Sequence, residues 1–286
     1  MIYETSRQWR NAGNRRLLLF GMSGVGKTHI SAILRSTGKW FHYSVDYRIG
    51  TRYMGEHIVD NFKREAMRNP FLADLLKSDS IYIASNITFG NLEPLSTYIG
   101  KLGDRKKGGL RLPEFCRRQD LHRSGEIASL LDTGYFIQRA EALYGYRHFV
   151  CDSGGSICEI VDPEAEDDPV LRKLSSTLLL VWIKGAPGHS EQLIERFNTN
   201  PKPMYYRPEF LHRCWQEYLH GNGLTGDKVD PDRFAQWLYE RALESRQPRY
   251  EAMARNWGVS VDAEEIASAQ TAGDIIEIIA EAIDRR

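Results

Sequence analysis

The sequence predicts an α/β fold of three layers, with helices on both faces of a mostly parallel central sheet. Two observations carry this reading. Short apolar runs alternate with segments of helical apolar spacing, and short turns rich in Gly, Asp and Pro join them. Such sheets bind ligands outside the carboxyl ends of their strands, so the residues at those ends are where function is sought.

With 286 residues the chain is long for one domain and short for two, and residues 1–286 are expected to form one enlarged domain carrying insertions. A hydrophobic content of 42% and a charged content of 27% exclude a disordered chain and provide for a sizeable core. Basic and acidic residues balance at 38 each, so bulk charge gives no reason to expect nucleic acid or an anionic membrane as partner. Cys116, Cys151, Cys158 and Cys214 show neither zinc-ligand spacing nor a disulfide framework, the pattern of reduced thiols in a cytosolic protein. Residues 1–16 lack the apolar stretch of a secretory signal and no apolar run is long enough to cross a bilayer, so a cytoplasmic protein is expected.

The elements follow in order. Residues 17–20, Leu-Leu-Leu-Phe, predict a strand, and residues 27–35, with Ile30, Ile33 and Leu34 on one face, predict a helix. Residues 41–45 predict a second strand stopping at Asp46, and residues 53–67 a helix that Asn69-Pro70 ends. Residues 78–124 read as an insertion, with a short strand at 81–83 and a basic, glycine-containing loop at 101–109 taken as mobile surface. Residues 125–144 predict one helix leading to a third strand at 148–151 that ends at Asp152. An acidic loop at 162–168 precedes a buried strand at 177–183, and a helix restarts at 191–197. A Pro- and Arg-bearing segment at 199–208 is expected to form a lid, followed by helices at 209–219 and 232–243. The chain closes with residues 258–261 and an amphipathic helix at 272–283 whose isoleucines supply a buried stripe. Trp182, Trp215 and Trp237 are read as packing residues.

Gly21-Met22-Ser23-Gly24-Val25-Gly26-Lys27-Thr28 satisfies G-x-x-x-x-G-K-[ST] between a predicted strand and a predicted helix, the context that the motif requires. Glycines let backbone N–H groups turn inward around phosphate oxygens, and the helix N-terminus adds partial positive charge. Lys27 is expected to reach the β- and γ-phosphates of a nucleoside triphosphate, ATP, and Thr28 to ligate Mg²⁺. The competing reading is a structural glycine turn with a chance lysine. Asp152, followed by Ser153-Gly154-Gly155, is the candidate carboxylate for Mg²⁺, with a helix N-cap as the alternative.

Asp46, with Arg48 and Arg52 one helical turn apart, is a candidate for orienting a hydroxyl-bearing or anionic substrate; an ordinary helix start with solvated arginines is the alternative. Arg196 and Arg207 flank the expected lid and are candidates for stabilising charge on a transferring phosphoryl group, against simple surface charge.

In this order of motifs the chain resembles the small P-loop kinases, the group that includes shikimate, gluconate and adenylate kinases. Beyond the phosphate loop, Asp46 looks like the acidic residue that contacts substrate in shikimate kinase, and Asp152-Ser153-Gly154-Gly155 looks like the third-strand Asp-Gly region. Leu193-Ile194-Glu195-Arg196 with Arg207-Pro208 is similar to the helix-and-lid pattern. Arg246-Gln247-Pro248-Arg249-Tyr250, followed by Val259-Ser260-Val261-Asp262, resembles the closing segment, which implies that Arg246 is near nucleotide or substrate. The resemblance implies a P-loop NTPase fold and a kinase passing the γ-phosphoryl group of ATP to a small acceptor.

Asp46-Tyr47-Arg48 with Gly50-Thr51-Arg52 departs from the shikimate-specific pattern, and residues 78–124 and 221–231 have no counterpart, so the acceptor stays open. The alternatives are an ATPase or nucleotide-dependent switch acting with a macromolecular partner, and a protein that binds ATP without turnover.

Overall fold

Leu17, Leu18, Leu19 and Phe20 are fully buried, as befits the central strand of a sheet covered on both faces. In the computed structural model, which describes residues 2–286, this run belongs to β1 (Arg16–Phe20). β2 (Trp40–Ser44), β3 (His148–Asp152), β4 (Leu179–Lys184) and β5 (Gly258–Asp262) complete one sheet in the order β2-β3-β1-β4-β5, all pairs parallel. The fold is therefore α/β, as the alternation of runs predicts.

The strand order locates the functional edge. The connection leaving β1 passes to one side, over β3, to reach β2, whereas the connection leaving β3 passes to the other side, over β1, to reach β4. The direction of winding reverses between β1 and β3, and the crevice outside their carboxyl ends is where such sheets take ligands. Leu19 lies level with Asp152 in the register, so the chain's first loop and the end of β3 meet there.

The chain divides into two compact units. The first comprises residues 2–45, Ile127–Asn200 and Gln236–Arg286 and holds the whole sheet. Its closing helix Ala272–Asp284 starts at a capping box of Thr271 and Asp274 and buries Ile275, Ile279 and Ile283. That helix packs on β5 and on the helix Ser6–Asn11, where the Trp9 indole donates to Ile276 O at 2.8 Å.

The second unit comprises Asp46–Glu126 and Pro201–Ala235. It is helical, with Gly55–Ala66, Pro70–Lys77, Glu93–Ile99, Pro208–Asn222 and the first part of Leu112–Leu131. Phe234 anchors its core, meeting the rings of Trp215 and Tyr218 edge-on at 4.9 and 5.0 Å. Among the described residues no helix is long and apolar enough to cross a membrane.

Four expectations are corrected. Residues 81–83 form no strand; Tyr82 is 88% exposed and the run has no ladder partner among the described residues. Val45 leaves β2 and opens the helix Val45–Arg48. The helix expected at 125–144 is two helices, Leu112–Leu131 and Thr133–Tyr144, parted at Asp132 where the Thr133 hydroxyl bonds Leu130 O at 2.7 Å. The helix expected at 232–243 runs on as Pro231–Trp257 through Pro248, whose missing N–H removes one bond from its ladder.

Candidate functional site

The segment between β1 and the helix Lys27–Ser36 is shaped by glycine. Gly21, Gly24 and Gly26 have φ of 137°, 79° and 104°, values that residues with a Cβ rarely adopt. At Gly21 the constraint is also steric, since an added Cβ would lie 2.6 Å from the Ile183 carbonyl at the end of β4. The Lys27 ammonium curls back over the loop and donates to Gly21 O at 2.9 Å and Met22 O at 2.8 Å. Gly26 is the N-cap of the helix and its side-chain-free start leaves the first backbone donors without a side-chain acceptor.

Thr28 and Asp152, 124 residues apart, are brought together at the crevice, with Thr28 Oγ1 3.3 Å from Asp152 Oδ2. Burial pushes the Asp152 carboxyl above its ordinary range, opposed by the Lys27 charge and the Thr28 hydrogen bond. A hydroxyl and a carboxylate beside a lysine form a hard oxygen donor set of the kind that Mg²⁺ takes when phosphate and water supply its remaining ligands. Among the described residues no group of three or more His, Cys, Asp or Glu is arranged to hold a metal by itself.

The segment that follows Asp152 is braced from two sides. The Ser153 hydroxyl donates to Leu19 O at 2.9 Å, tying the end of β3 to β1. From the helix Pro231–Trp257, the Tyr250 hydroxyl donates to Gly155 O and Arg249 Nε donates to Cys158 O at 2.6 Å. Arg246 Nε lies 2.9 Å from Glu159 Oε1, the two side chains 4% and 1% exposed. Burial disfavours the Arg246 charge, and Glu159 with Tyr250 and Cys158 more than offsets it, so the guanidinium is held firmly protonated. Burial pushes the neighbouring Cys158 thiol up to about 12, which leaves it inert. Arg246, expected near nucleotide or substrate, is thus committed within this brace.

Arg196 lies on the helix His189–Thr199, exposed, with Nη2 3.7 Å from where a Cβ on Gly24 would sit. His189 Nε2 is 3.1 Å from Ser23 O on the same side of the loop. Next to them is a cleft of ≈ 560 Å³ lined by Met22, residues 184–191, Gln247 and residues 262–265.

The remaining sequence candidates belong to the second unit. Asp46 is in the first turn of Val45–Arg48, the Arg48 guanidinium lies 5.6 Å over the Tyr53 ring, and Arg52 is exposed in the widened turn Ile49–Tyr53. Arg207 stands at the N-cap position of the helix Pro208–Asn222 without a capping side-chain bond, its Nε 3.9 Å from Glu209 Oε2. The segment before it is fastened rather than loose, since Gln119 bonds Met204 O at 3.1 Å and Tyr206 N at 2.8 Å and both Tyr205 and Tyr206 are buried.

His189, Glu159, Tyr250 and the cleft were not among the sequence candidates. The Gly- and Pro-rich turn 185–188 at the end of β4, opening a helix, carries the same strand-end signal as Asp152 and points to His189. Nothing local in the sequence marks Glu159.

No protein-family model matches the chain, and no curated protein matches it. Among solved structures it is similar to a shikimate kinase from Bacteroides thetaiotaomicron, with 16% identity, 95% of each chain covered and a TM-score of 0.38. The fold assignment stands on the strand order and register.

Proposed function

We propose that the loop Gly21-Met22-Ser23-Gly24-Val25-Gly26-Lys27-Thr28 binds ATP with Mg²⁺, and that the protein passes the γ-phosphoryl group to a small acceptor. The observation that carries this reading is the Thr28 and Asp152 pair, 3.3 Å apart beside Lys27 at the point where the winding of the sheet reverses. A structural glycine turn needs no carboxylate there.

In this reading Lys27 exchanges its two carbonyl partners for phosphate oxygens, and Thr28 and Asp152 hold Mg²⁺ or its waters. The bound ion supplies charge neutralisation between phosphates. Arg196, beside Gly24, presents guanidinium charge to the phosphoryl group. The cleft of ≈ 560 Å³ adjoining Met22 falls in the size range of a nucleoside seat, about 300–1,000 Å³. Tyr250, Arg249 and the Glu159 pair keep the segment after Asp152 in place. All these residues lie in the first unit, and the acceptor is left to experiment.

The test is to incubate the protein with Mg²⁺ and ATP against a panel of hydroxyl-bearing and phosphorylated metabolites, following ADP and free phosphate separately. ADP without matching free phosphate, in the presence of one acceptor class, is the expected result, and Lys27→Ala removes it. Equal release of ADP and phosphate under every condition makes the protein an ATPase instead. Unchanged ATP affinity in Lys27→Ala removes the loop from the proposal altogether.

A further inference from the structure

The basic turn at 101–109 is not the mobile surface loop expected from its glycines and lysines. Its ends close on each other, with Gly103 N bonded to Leu110 O at 3.0 Å and Leu110 N to Lys101 O at 2.8 Å. Asp104 N bonds Val229 O at 2.8 Å, Lys107 pairs with Asp230 at 2.8 Å, and Lys101 pairs with Asp232. Glycine is required for the closure, because a Cβ on Gly109 would lie 2.6 Å from the Gly103 carbonyl carbon. The turn is a pinned platform.

That platform forms one wall of a cleft of ≈ 940 Å³ built wholly within the second unit. Arg105, Lys106, Arg111 and Lys228 stand exposed around it, and Trp215 and Leu219 line its apolar side. Trp215 is 4% exposed and wedged against Phe234, so this wall is rigid. Two carboxylates share the lining, and both are engaged. Asp104 accepts from Lys106 N at 2.8 Å, and Asp227 accepts from the Thr225 hydroxyl at 2.6 Å. The Thr225 bond, with smaller contributions from Lys228 and Arg111, holds the Asp227 carboxyl below its usual range.

Four cations against two carboxylates leave the rim positive, and the pinned turn keeps the like charges of Arg105 and Lys106 on neighbouring, fixed stems. An anion that enters the cleft relieves that repulsion. The concavity and volume suit a small molecule, falling within the roughly 300–1,000 Å³ of ligand pockets, rather than the extended groove that a nucleic-acid strand follows. We propose that this cleft is a second ligand site, for a small molecule carrying two or more phosphate groups, read by Arg105, Lys106, Arg111 and Lys228. It does not depend on the function proposed for the glycine loop.

The test uses the full chain carrying Lys27→Ala, to silence the glycine loop, and inorganic pyrophosphate as probe. Calorimetry is expected to find one pyrophosphate per chain, weakened by added salt, and weakened about tenfold or more in the further variant Arg105→Gln with Lys228→Gln. Pyrophosphate should raise the Tm of the parent and leave that of the variant unmoved. Without pyrophosphate at low salt, the variant should melt close to the parent, since relief of the repulsion among the cations offsets the lost attraction of Lys228 for Asp227. A parent that takes up no pyrophosphate, or a variant that binds it as tightly as the parent, overturns the site. A variant that melts lower without ligand shows the cations to be structural. Displacement of pyrophosphate by a single-stranded RNA that binds more tightly assigns the cleft to nucleic acid and overturns the small-ligand reading.

Discussion

Arg246→Met isolates the energetics of the brace behind Asp152. Arg246 and Glu159 are 4% and 1% exposed and 2.9 Å apart, so removing the guanidinium leaves a carboxylate with neither water nor counter-charge. Breaking such a buried pair costs about 3–5 kcal/mol, a large part of the roughly 5–15 kcal/mol that holds a typical domain folded. The pair is also imperfect, because Glu159 Oε2 is buried without a hydrogen-bond partner among the described residues, a penalty of about 1–3 kcal/mol that folding now bears. Replacing both residues, Glu159→Leu with Arg246→Met, removes the orphaned oxygen together with both charges. The double variant is therefore expected to match or exceed the parent in stability, while Arg246→Met alone falls by about 3–5 kcal/mol. Urea unfolding of the four proteins completes a double-mutant cycle. A single variant that loses less than about 1 kcal/mol, or a double variant whose loss equals the sum of the singles, refutes the reasoning.

Two further outcomes follow from the same geometry. Gly21→Ala places a Cβ 2.6 Å from a backbone oxygen at φ 137°, whereas Gly24→Ala, at φ 79°, meets nothing nearer than 3.6 Å. Urea unfolding should rank Gly21→Ala as the more costly, with Gly24→Ala limited to the left-handed backbone penalty of about 1–2 kcal/mol; the reverse ranking sinks the steric argument. His42 has its pKa lowered from 6.5 to about 4, by burial first and then by Arg35. The unfolded chain then holds one more proton between those values, so His42 makes stability fall as pH drops from 6.5 to about 4 and adds no further slope below. His42→Gln should flatten that part of the profile, and an unchanged slope counts against the assignment.

The parallel sheet was legible because its inner strands β1 and β4 carry continuous apolar runs, and the glycine loop because its spacing is dictated by backbone geometry that few other residues reproduce. Asp152 was legible as a strand end, since the apolar run before it stops there. The helix Leu112–Leu131 was legible only from its last turns. Its earlier buried face carries Arg118, Gln119, His122 and Glu126, so the apolar period that reveals a helix is missing where the polar side chains find partners inside. The division into two units escaped the sequence because the second is assembled from two stretches separated by the middle segment of the sheet-bearing one, Ile127–Asn200.

The basic turn shows how one composition can conceal two opposite physical states. Glycines and lysines in succession describe a flexible loop only if nothing is paired with them, and here the pairing comes from Val229, Asp230 and Asp232, more than a hundred residues away. Each of those contacts is weak by itself at an exposed site, about 0–1 kcal/mol for an ion pair. Together with the two backbone bonds that tie Leu110 to Gly103 and to Lys101, they act on a single short turn, so the entropy of fixing the loop is lost once while several contacts are gained. The backbone that carries Arg105 and Lys106 is then fixed, so their exposed side chains start from set positions and a ligand that bridges them has less chain entropy to overcome. Weakening the platform without touching those cations, by Asp230→Asn with Asp232→Asn, should therefore reduce pyrophosphate affinity even though net positive charge rises. Tighter binding in that variant would make bulk charge, and not preorganisation, the source of the affinity.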